Sequence, residues 1–492
     1  MVATAPESTT GGWLDPFLAR WRPGSGEPHE VREPATGRRL ISVPTATPAD
    51  VARAAAAAAE AQPAWAATSY QERARILRRA AEIYEAHRPE FGTWTQRETG
   101  AHRNKMHHEQ NFTAQELHVA ATMPSQPYGQ LVPSAQPERL SMVRRIPVGV
   151  VGAITPWNSP SVLGMRVVAP ALALGNAVLL KPDPQTPVCG GALFEAVFRE
   201  AGLPEGLLHV LVGGAEVGEA IVSDPNVHVV SFTGSTAAGR RVGELAGRLL
   251  KKVSLELGGN NALVVLDDAD IDAAASAGAY ASFQFQGQVC FAVGRHIVHR
   301  SVAADYTDAL VEKARRLRLG DPYRDESVDL GPIVNEKQLA RVDGIVRRSV
   351  EGGARLLTGG TSDGLFYHPT VLADVSRELP AWREETFGPV APVITFDTDE
   401  EALALANDSE YGLAGAVYSR SISRGLALAQ RIRAGMVHVN DQTINDEAVI
   451  PFGGMGASGN GGRFGGEANW ETFTQWQWVT VRDRPKSFPF PY

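Results

Sequence analysis

Cysteine is nearly absent from this chain, which has only Cys189 and Cys290 among its 492 residues. Two cysteines do not make a disulfide framework or a paired-cysteine zinc site, so we expect a reducing compartment, the cytoplasm, and no metal. Long apolar runs are also missing, because none approaches the roughly 20 residues that span a bilayer. Residues 1–12 lack the basic and apolar regions of a signal peptide. Secretion and membrane insertion are therefore not expected.

Charge of one sign is not concentrated anywhere in the chain. The net charge is −8, and acidic and basic residues alternate along the sequence. This distribution argues against a nucleic-acid partner. The length exceeds what one hydrophobic core usually serves, so we expect two or three domains.

Two helices begin with clear capping signals. Thr47, Pro48 and Asp50 supply an N-cap, a first-turn proline and an acidic third residue before an alanine-rich run. Ser69 and Glu72 predict a capping box that opens a second helix running through Ile83.

Short apolar runs then predict a parallel sheet. They are rich in β-branched residues, are separated by helical segments, and cover residues 148–154, 177–180, 207–212, 227–232 and 262–266. Uninterrupted runs of this kind are typical of strands buried on both faces in βαβ units. The pattern predicts an α/β fold with a nucleotide-binding domain.

Cys290 and Glu256 are candidates for covalent catalysis on a carbonyl group. A thiol that is partly ionised near neutral pH is a good nucleophile, and a carboxylate can take protons from it or from water. A lone cysteine is more often a buried packing residue. The polar neighbours Gln286 and Gln288 and the glycine-containing turns make that interpretation less probable for Cys290, whereas Cys189 keeps it.

Three further segments follow predicted strands and could bind a ligand. Gly234 precedes a helix whose free N–H groups could bind a pyrophosphate, although a plain strand-to-helix turn explains it as well. Lys181 ends a strand where α/β sheets bind ligands, or is a solvated loop lysine. Asn158 could donate to an oxyanion, an effect worth about 3–4 kcal/mol, or cap a turn.

Together these residues resemble the aldehyde dehydrogenase superfamily, from roughly Trp21 to the C-terminus. The motifs that carry the resemblance occur in the family's order and are Thr155-Pro156-Trp157-Asn158, Gly175-Asn176-Ala177-Val178, Lys181-Pro182, Phe232-Thr233-Gly234-Ser235-Thr236, Leu255-Glu256-Leu257-Gly258-Gly259, Gly287-Gln288-Val289-Cys290, Glu385-Thr386-Phe387-Gly388-Pro389 and Pro451-Phe452-Gly453-Gly454.

The resemblance implies oxidation of an aldehyde to a carboxylate through a thiohemiacetal and a thioester on Cys290. Asn158 and the Cys290 N–H would hold the oxyanion, and Glu256 would activate water. Lys181 and Glu385 would bind ribose hydroxyls of NAD(P). The full set of implied cofactor-binding residues is Ile154, Thr155, Pro156, Trp157, Lys181, Asp183, Pro184, Phe232, Gly234, Ser235, Gly239, Leu257, Gly258, Glu385 and Phe387.

The family architecture implies a Rossmann-like parallel-sheet cofactor domain, an α/β catalytic domain and a small β oligomerisation element. The cofactor domain would comprise residues 15–128 and 148–257, the catalytic domain 258–457, and the third element 129–147 with a strand at 473–482. That strand alternates in polarity and is rich in β-formers. An exposed strand with so many aromatic residues favours a homodimer or homotetramer.

The position of Pro184 bears on the choice of cofactor. Many NAD-preferring relatives carry Glu there, three residues after the lysine, where it pairs with the adenosine ribose. Without that carboxylate the 2′-hydroxyl loses a partner and a 2′-phosphate is no longer repelled. We expect NAD as the cofactor, with NADP possible.

Within the superfamily, the segments 181–191, 444–454 and 459–469 look like the benzaldehyde dehydrogenase branch. The pocket residues implied by family position are mostly apolar and are Leu163, Arg166, Gln284, Val289, Phe291, Ile444 and Phe452. We interpret Arg166 as the partner of Glu447 or another structural carboxylate, with recognition of a substrate carboxylate as the alternative.

The expected substrate is a hydrophobic aromatic or conjugated aldehyde such as benzaldehyde. A terpenoid aldehyde such as geranial, or a semialdehyde, is the alternative. A CoA-acylating enzyme would usually lack Glu256, and a non-catalytic NAD-binding or structural protein would be free to lose both Cys290 and Glu256. Both residues are present, which argues against these two alternatives.

Overall fold

The structure is a computed structural model that describes residues 12–490. The expectation for the N-terminal segment therefore lies outside the described residues, apart from Gly12. The strands of the described chain are β1 (Pro28–Arg32), β2 (Arg39–Pro44), β3 (Gly129–Leu131), β4 (Leu140–Pro147), β5 (Val150–Ile154), β6 (Ala177–Lys181), β7 (Leu208–Val210), β8 (Val227–Thr233), β9 (Lys252–Glu256), β10 (Asn261–Val265), β11 (Val293–His299), β12 (Arg355–Thr358), β13 (Ser362–Asp363), β14 (Phe366–Tyr367), β15 (Thr370–Ala373), β16 (Val390–Phe396), β17 (Ala414–Tyr418), β18 (Met436–Val439) and β19 (Thr474–Val481).

Helices connect most of these strands. The α-helices are α1 (Asp15–Leu18), α2 (Pro48–Ala67), α3 (Tyr70–Ala86), α4 (Arg88–Thr99), α5 (Arg103–Thr122), α6 (Pro160–Ala173), α7 (Leu193–Glu200), α8 (Ala215–Ser223), α9 (Thr236–Arg248), α10 (Ile271–Phe283), α11 (Ala303–Arg316), α12 (Glu336–Glu351), α13 (Pro380–Arg383), α14 (Asp399–Asn407), α15 (Ile422–Ala429) and α16 (Ala468–Phe473). Within residues 12–490, no helix is both long and apolar enough to cross a membrane.

The predicted caps of α2 and α3 are confirmed, with one difference. Thr47 and Asp50 form the reciprocal capping box at the start of α2. At α3, the Ser69 side chain accepts a hydrogen bond from the Glu72 N–H. The Glu72 carboxylate pairs with Arg75 one turn further on. A nearby arginine thus competes for the carboxylate that would complete the second box.

A five-stranded parallel sheet lies in the first half of the chain, in the order β7-β6-β5-β8-β9. Every residue of β5 and β6 is buried, as expected for strands covered on both faces. The chain runs outward from β5 to β7 and then returns to β8. The strand order therefore reverses between β5 and β8, and α/β sheets bind ligands at the carboxyl ends beside such a reversal.

Four of the five predicted runs lie in this sheet, but the fifth does not. The run at 262–266 corresponds to β10, which pairs with β11 and β17 in a second sheet. The missing strand is β9, whose residues Lys252 and Ser254 interrupt its apolar pattern. The sequence analysis did not predict β9, because this edge strand has an exposed first residue and no continuous apolar run. The strand at 262–266 was therefore assigned to the wrong sheet.

The second sheet has seven strands in the order β12-β15-β16-β11-β10-β17-β18. Only β12 runs antiparallel to its neighbour. Apolar clusters cover both faces, one around Trp382 and Phe396 and the other around Phe283 and Tyr306. The short loop after β9 joins the two sheets, because the next strand along the chain, β10, is an inner strand of the second sheet.

The C-terminal strand β19 forms a three-stranded antiparallel sheet with β4 and β3. It is one residue shorter at each end than the predicted strand. Trp476 and Trp478 on β19 remain 53% and 62% exposed. An edge strand with two exposed tryptophans has an unpaired backbone and an apolar surface in the single chain. The predicted domain boundaries stay a prediction.

Candidate active site

Cys290 lies in an irregular loop between α10 and β11, and the backbone before it is strained. Phe285, Gln286 and Gly287 all have left-handed φ values, 48°, 53° and 65°. Non-glycine residues in this region cost about 1–3 kcal/mol each and cluster at functional sites. The Gln286 side chain fixes the turn by donating to the carbonyl of Pro332 at 2.7 Å.

Gly287 is required where the cysteine loop meets a second loop. A Cβ atom at this position would lie 2.1 Å from the carbonyl oxygen of Gly388. The preceding residue, Phe387, also has a left-handed φ of 53°. The close backbone approach therefore joins the cysteine loop to the predicted cofactor residue Phe387.

Asn261, which the sequence analysis missed, holds the other end of the cysteine loop. Its side-chain amide donates to the carbonyl oxygens of Cys290 at 3.0 Å and Ala292 at 2.7 Å. Its side-chain oxygen accepts from the Ala414 N–H at 2.8 Å. Asn261 begins β10, directly after the Glu256 motif, and a polar residue opening a buried strand is the signal that could have identified it.

The surroundings of Cys290 favour the protonated form of its thiol. Burial raises its pKa above the ordinary value, and the charges of Glu385, Glu256 and Asp446 raise it further. The direction of this shift favours the thiol over the thiolate, whereas the sequence analysis expected partial ionisation. A base must remove the thiol proton before the sulfur can attack.

Glu256 ends β9 and is 3% exposed. Within residues 12–490, no side chain forms a hydrogen bond or an ion pair with its carboxylate. Burial raises the pKa of this carboxyl well above its usual range, although Arg463 and Arg166 oppose the shift. A buried carboxyl with a raised pKa and no side-chain partner is suited to accept a proton near neutral pH.

Asn158 is also buried, and it touches the cysteine loop. Its side-chain nitrogen donates to the carbonyl of Gln288 at 3.0 Å. A primary amide has two N–H donors, so a second one remains. The Cys290 N–H has no hydrogen-bond acceptor within the described chain. The two predicted oxyanion donors therefore lie on connected loops and both retain a free N–H.

A buried ion pair on α5 supports Asn158, and the sequence analysis did not identify it. Lys105 pairs with Glu109 and donates to the Asn158 carbonyl at 2.8 Å. Glu109 accepts the Ser161 N–H at 2.9 Å. The Lys105 ammonium also lies 4.3 Å from the centre of the Phe285 ring. The i,i+4 spacing of Lys105 and Glu109 is a sequence signal, but their burial is not.

The predicted cofactor residues lie mainly at the carboxyl ends of strands in the five-stranded sheet. They lie at the end of, or after, β5 (Ile154, Thr155, Pro156 and Trp157), β6 (Lys181, Asp183 and Pro184), β8 (Phe232, Gly234, Ser235 and Gly239) and β9 (Leu257 and Gly258). Two of these groups flank the reversal of strand order between β5 and β8. Trp157 also contacts Phe387, with ring centres 5.5 Å apart in a perpendicular arrangement.

The Lys181 ammonium is buried and has few partners. It donates to the Pro182 carbonyl at 3.3 Å, and it forms no ion pair with a carboxylate of the described chain. Burial lowers its pKa. A buried ammonium with unused donors fits the hydroxyl groups of a nucleotide ribose. Asp183, in contrast, accepts the Gln185 N–H at 2.9 Å and closes the turn after β6.

The turn between β8 and α9 has the predicted form. Ser235 is the N-cap of α9 and accepts the Ala238 N–H. A Cβ atom at Gly239 would lie 2.3 Å from the Leu257 side chain. Glycine therefore lets the first turn of α9, with its free N–H groups, pack closely on the loop after β9.

Glu385 lies against the same loop after β9. Its carboxylate accepts the Gly259 N–H at 2.9 Å. A Cβ atom at Gly258 would lie 2.3 Å from this carboxylate. Burial raises the pKa of Glu385 to about 7, and Arg341 opposes the shift. The loop after β9 therefore contacts Glu385 and directly follows Glu256 in the chain.

Aromatic residues pack beside Cys290. Phe291 and Phe452 are edge to face, with ring centres 5.5 Å apart. Cys290, Phe291 and Ile450 pack on the cluster that contains Phe452. Of the other predicted pocket residues, Leu163 lies on α6, while Val289 and Ile444 lie in irregular segments. Gln284 lines a cavity of about 300 Å³ that contains none of the other predicted pocket residues.

Arg166 is held by two carboxylates, and neither belongs to Glu447. Its guanidinium donates to Glu116 at 2.9 Å and to Asp446 at 2.6 Å. Glu447 is exposed, because neighbouring residues of this irregular loop point in different directions. The guanidinium also lies over the Phe452 ring, 4.8 Å from its centre. The prediction that Arg166 pairs with a structural carboxylate is therefore confirmed, but its partners are Asp446 and Glu116 and not Glu447.

Comparison with known proteins identifies the family of this chain. A model of the aldehyde dehydrogenase family matches residues 21–479. A vanillin dehydrogenase from Amycolatopsis is 53% identical over 96% of this chain and 97% of the relative. A benzaldehyde dehydrogenase [NAD(+)] from Pseudomonas putida is 50% identical, with the same coverage. The solved structure of a salicylaldehyde dehydrogenase from Pseudomonas putida G7, complexed with salicylaldehyde, has a TM-score of 0.91 and 35% identity, and the match covers 94% of this chain and 96% of that one.

Proposed function

The chain belongs to the aldehyde dehydrogenase family, and on that premise we propose that it oxidises aromatic aldehydes to carboxylates. The observation that carries the proposal is the aromatic pair beside the nucleophile, because Phe291 and Phe452 pack with Cys290. Removing an aryl ring from water into such a pocket contributes a few kcal/mol, at about 25 cal/mol per Å² of apolar surface. Relatives named for vanillin and benzaldehyde support the same substrate class.

Arg166 argues against a substrate that carries a carboxylate. Its guanidinium already pairs with Glu116 and Asp446. A substrate carboxylate would lose its hydration and meet a cation whose charge is already balanced. We therefore favour aromatic aldehydes over semialdehydes.

In the proposed reaction, Glu256 takes the proton of the Cys290 thiol and the sulfur adds to the aldehyde carbon. The free N–H of the Asn158 amide and the Cys290 backbone N–H donate to the oxygen of the thiohemiacetal. Bound NAD(P) supplies the chemistry of hydride acceptance. After that first proton has passed from Glu256 to solvent, Glu256 takes a proton from the water that attacks the thioester, and the carboxylate product and the free thiol result.

We propose NAD as the preferred cofactor, with NADP as a possible substitute. Lys181 would donate to ribose hydroxyls, since its buried ammonium has unused donors. Pro184 provides no carboxylate at the position where NAD-preferring relatives have Glu, so repulsion of a 2′-phosphate is missing there. The benzaldehyde relative is named for NAD(+).

We also propose a cytoplasmic homodimer or homotetramer that associates through β19. This strand lies at the edge of its sheet and exposes Trp476 and Trp478. Pairing with a second copy would satisfy the open backbone edge and cover both rings. The predicted three-part division into a cofactor domain, a catalytic domain and an oligomerisation element belongs to this proposal.

A kinetic panel tests the proposal. The substrates are benzaldehyde, cinnamaldehyde, geranial, hexanal and succinic semialdehyde, each assayed with NAD and with NADP, and Cys290→Ala serves as the inactive control. We expect the two aryl aldehydes to give the highest kcat/KM. If succinic semialdehyde exceeds both, Arg166 binds substrate and the aromatic assignment is wrong.

A further inference from the structure

One carboxylate oxygen of Asp446 is buried without a partner. The side chain is 9% exposed, and its Oδ2 accepts from Arg166 at 2.6 Å. Its Oδ1 has no hydrogen-bond partner among residues 12–490. Nearly all buried polar atoms in proteins are hydrogen-bonded, and an exception needs an explanation. A charged acceptor that costs free energy when unpaired becomes favourable when a ligand supplies a donor.

The position of Asp446 connects this oxygen to the substrate pocket. Arg166, which holds Oδ2, lies 4.8 Å from the centre of the Phe452 ring. Phe452 in turn contacts Phe291, the residue after Cys290. The charge of Asp446 also raises the pKa of Cys290. Asp446 is thus linked through Arg166 to the Phe452 ring of the aromatic pair that would flank the substrate.

Resting on the proposed aromatic-aldehyde activity, we propose that Asp446 selects aldehydes with a hydroxyl group on the ring. The hydroxyl donates a hydrogen bond to Oδ1, while Arg166 keeps Oδ2 in place. A methyl or methoxy substituent has no proton to donate, and a ring carboxylate is repelled by the same charge. Glu116 holds the other side of Arg166, so the guanidinium stays fixed when the hydroxyl binds.

The test compares hydroxy-substituted and methyl-substituted benzaldehydes of similar size. The 2-, 3- and 4-hydroxy isomers are each paired with the matching methyl isomer, and kcat/KM is measured for both. We expect at least one hydroxy isomer to exceed its methyl partner about tenfold, as a hydrogen bond to a charged group predicts. A 4-hydroxyl donates electrons to the carbonyl and slows attack, so a preference for that isomer reports binding.

Two variants separate the acceptor from the ion pair. Asp446→Asn removes the charged acceptor, and we expect it to reduce the hydroxy preference at least threefold. Glu116→Gln is the matched control, because it removes the other carboxylate from Arg166 and leaves Oδ1 of Asp446 in place. It should keep the preference of the wild-type enzyme.

The outcomes are distinct. Equal kcat/KM for every hydroxy and methyl pair in the wild-type enzyme overturns the inference without any variant. Equal loss of the preference in both variants also overturns it, because movement of Arg166 then explains the effect. If the wild-type enzyme oxidises none of these aryl aldehydes, benzaldehyde included, the proposed function itself fails.

Discussion

Replacing Lys105 with Met tests whether the buried ion pair on α5 positions the oxyanion donor. The substitution removes the ammonium that donates to the Asn158 carbonyl at 2.8 Å. It also leaves Glu109, whose side chain is 2% exposed, without its cation. Breaking a buried pair by removing one partner costs about 3–5 kcal/mol. Displacement of a catalytic group by about 1 Å costs on the order of 100-fold in rate. We therefore expect Lys105→Met to lower both stability and acylation.

The double variant Lys105→Met with Glu109→Gln separates these two effects. It contains no buried charge at the pair, and the Gln side-chain oxygen can still accept the Ser161 N–H that Glu109 accepts at 2.9 Å. Replacing both members of a buried pair by neutral groups is often close to neutral for stability. The double variant should therefore recover most of its free energy of unfolding. Acylation should stay slow, because the Asn158 carbonyl still lacks its donor.

Denaturant unfolding measures stability, and rapid-mix absorbance of the reduced nicotinamide measures the first turnover. For the double variant we expect a hydride burst at least tenfold slower than that of the wild-type enzyme, about 1.4 kcal/mol in barrier. Recovery of both stability and burst rate would show that Lys105 only balances the charge of Glu109. Loss of stability in both variants with a normal burst would exclude any positioning of Asn158.

Three further predictions concern deacylation, cofactor choice and association. In Glu256→Gln both the first-turnover burst and steady-state turnover should slow, since the Gln can neither take the thiol proton nor activate water, and a burst at the wild-type rate would exclude Glu256 as the base for the thiol. Because burial raises the pKa of Glu256, deacylation in the wild-type enzyme should increase as the pH rises through the neutral range; a pH-independent rate would exclude this carboxyl as the base. Pro184→Glu should raise the ratio of kcat/KM with NAD to kcat/KM with NADP about tenfold, and an unchanged ratio would place the residue out of reach of the ribose. Replacing Trp476 and Trp478 together by Ser should lower the mass measured by sedimentation at equal concentration, and an unchanged mass would argue against association through β19.

Local signals in the sequence predicted the elements whose environment is uniform. The strands β5 and β6 are buried at every position, so their apolar runs are continuous and easy to recognise. The strand β9 was missed because it is an edge strand with Lys252 exposed. The run at 262–266 was identified as a strand, but its sheet was not, since pairing depends on the turn after β9 and not on the run itself.

The candidate site shows a similar division between residue identity and environment. The motifs identified Cys290, Glu256 and Asn158 as a set. The residues that hold them in place come from other parts of the chain. For example, Asn261 donates to the carbonyl of Cys290, and Lys105 donates to the carbonyl of Asn158. Such contacts depend on tertiary packing, and a buried lysine has the same local sequence as an exposed one. The sequence predicted a structural carboxylate as the partner of Arg166 but did not identify Asp446, since only the loop conformation decides which carboxylate faces Arg166.

In the proposed mechanism, the charges around Cys290 require the nucleophile Cys290 and the base Glu256 to act together. Burial and the charges of Glu385, Glu256 and Asp446 all raise the pKa of the thiol, which favours its protonated form. A neutral thiol resists oxidation better than a thiolate. The same environment raises the pKa of Glu256, which makes this carboxylate a stronger proton acceptor than an exposed Glu. Transfer of the proton from sulfur to Glu256 leaves the total charge of the pair unchanged. A low-dielectric site penalises an added charge far more than such an internal transfer, so attack can begin without ionising the thiol to solvent.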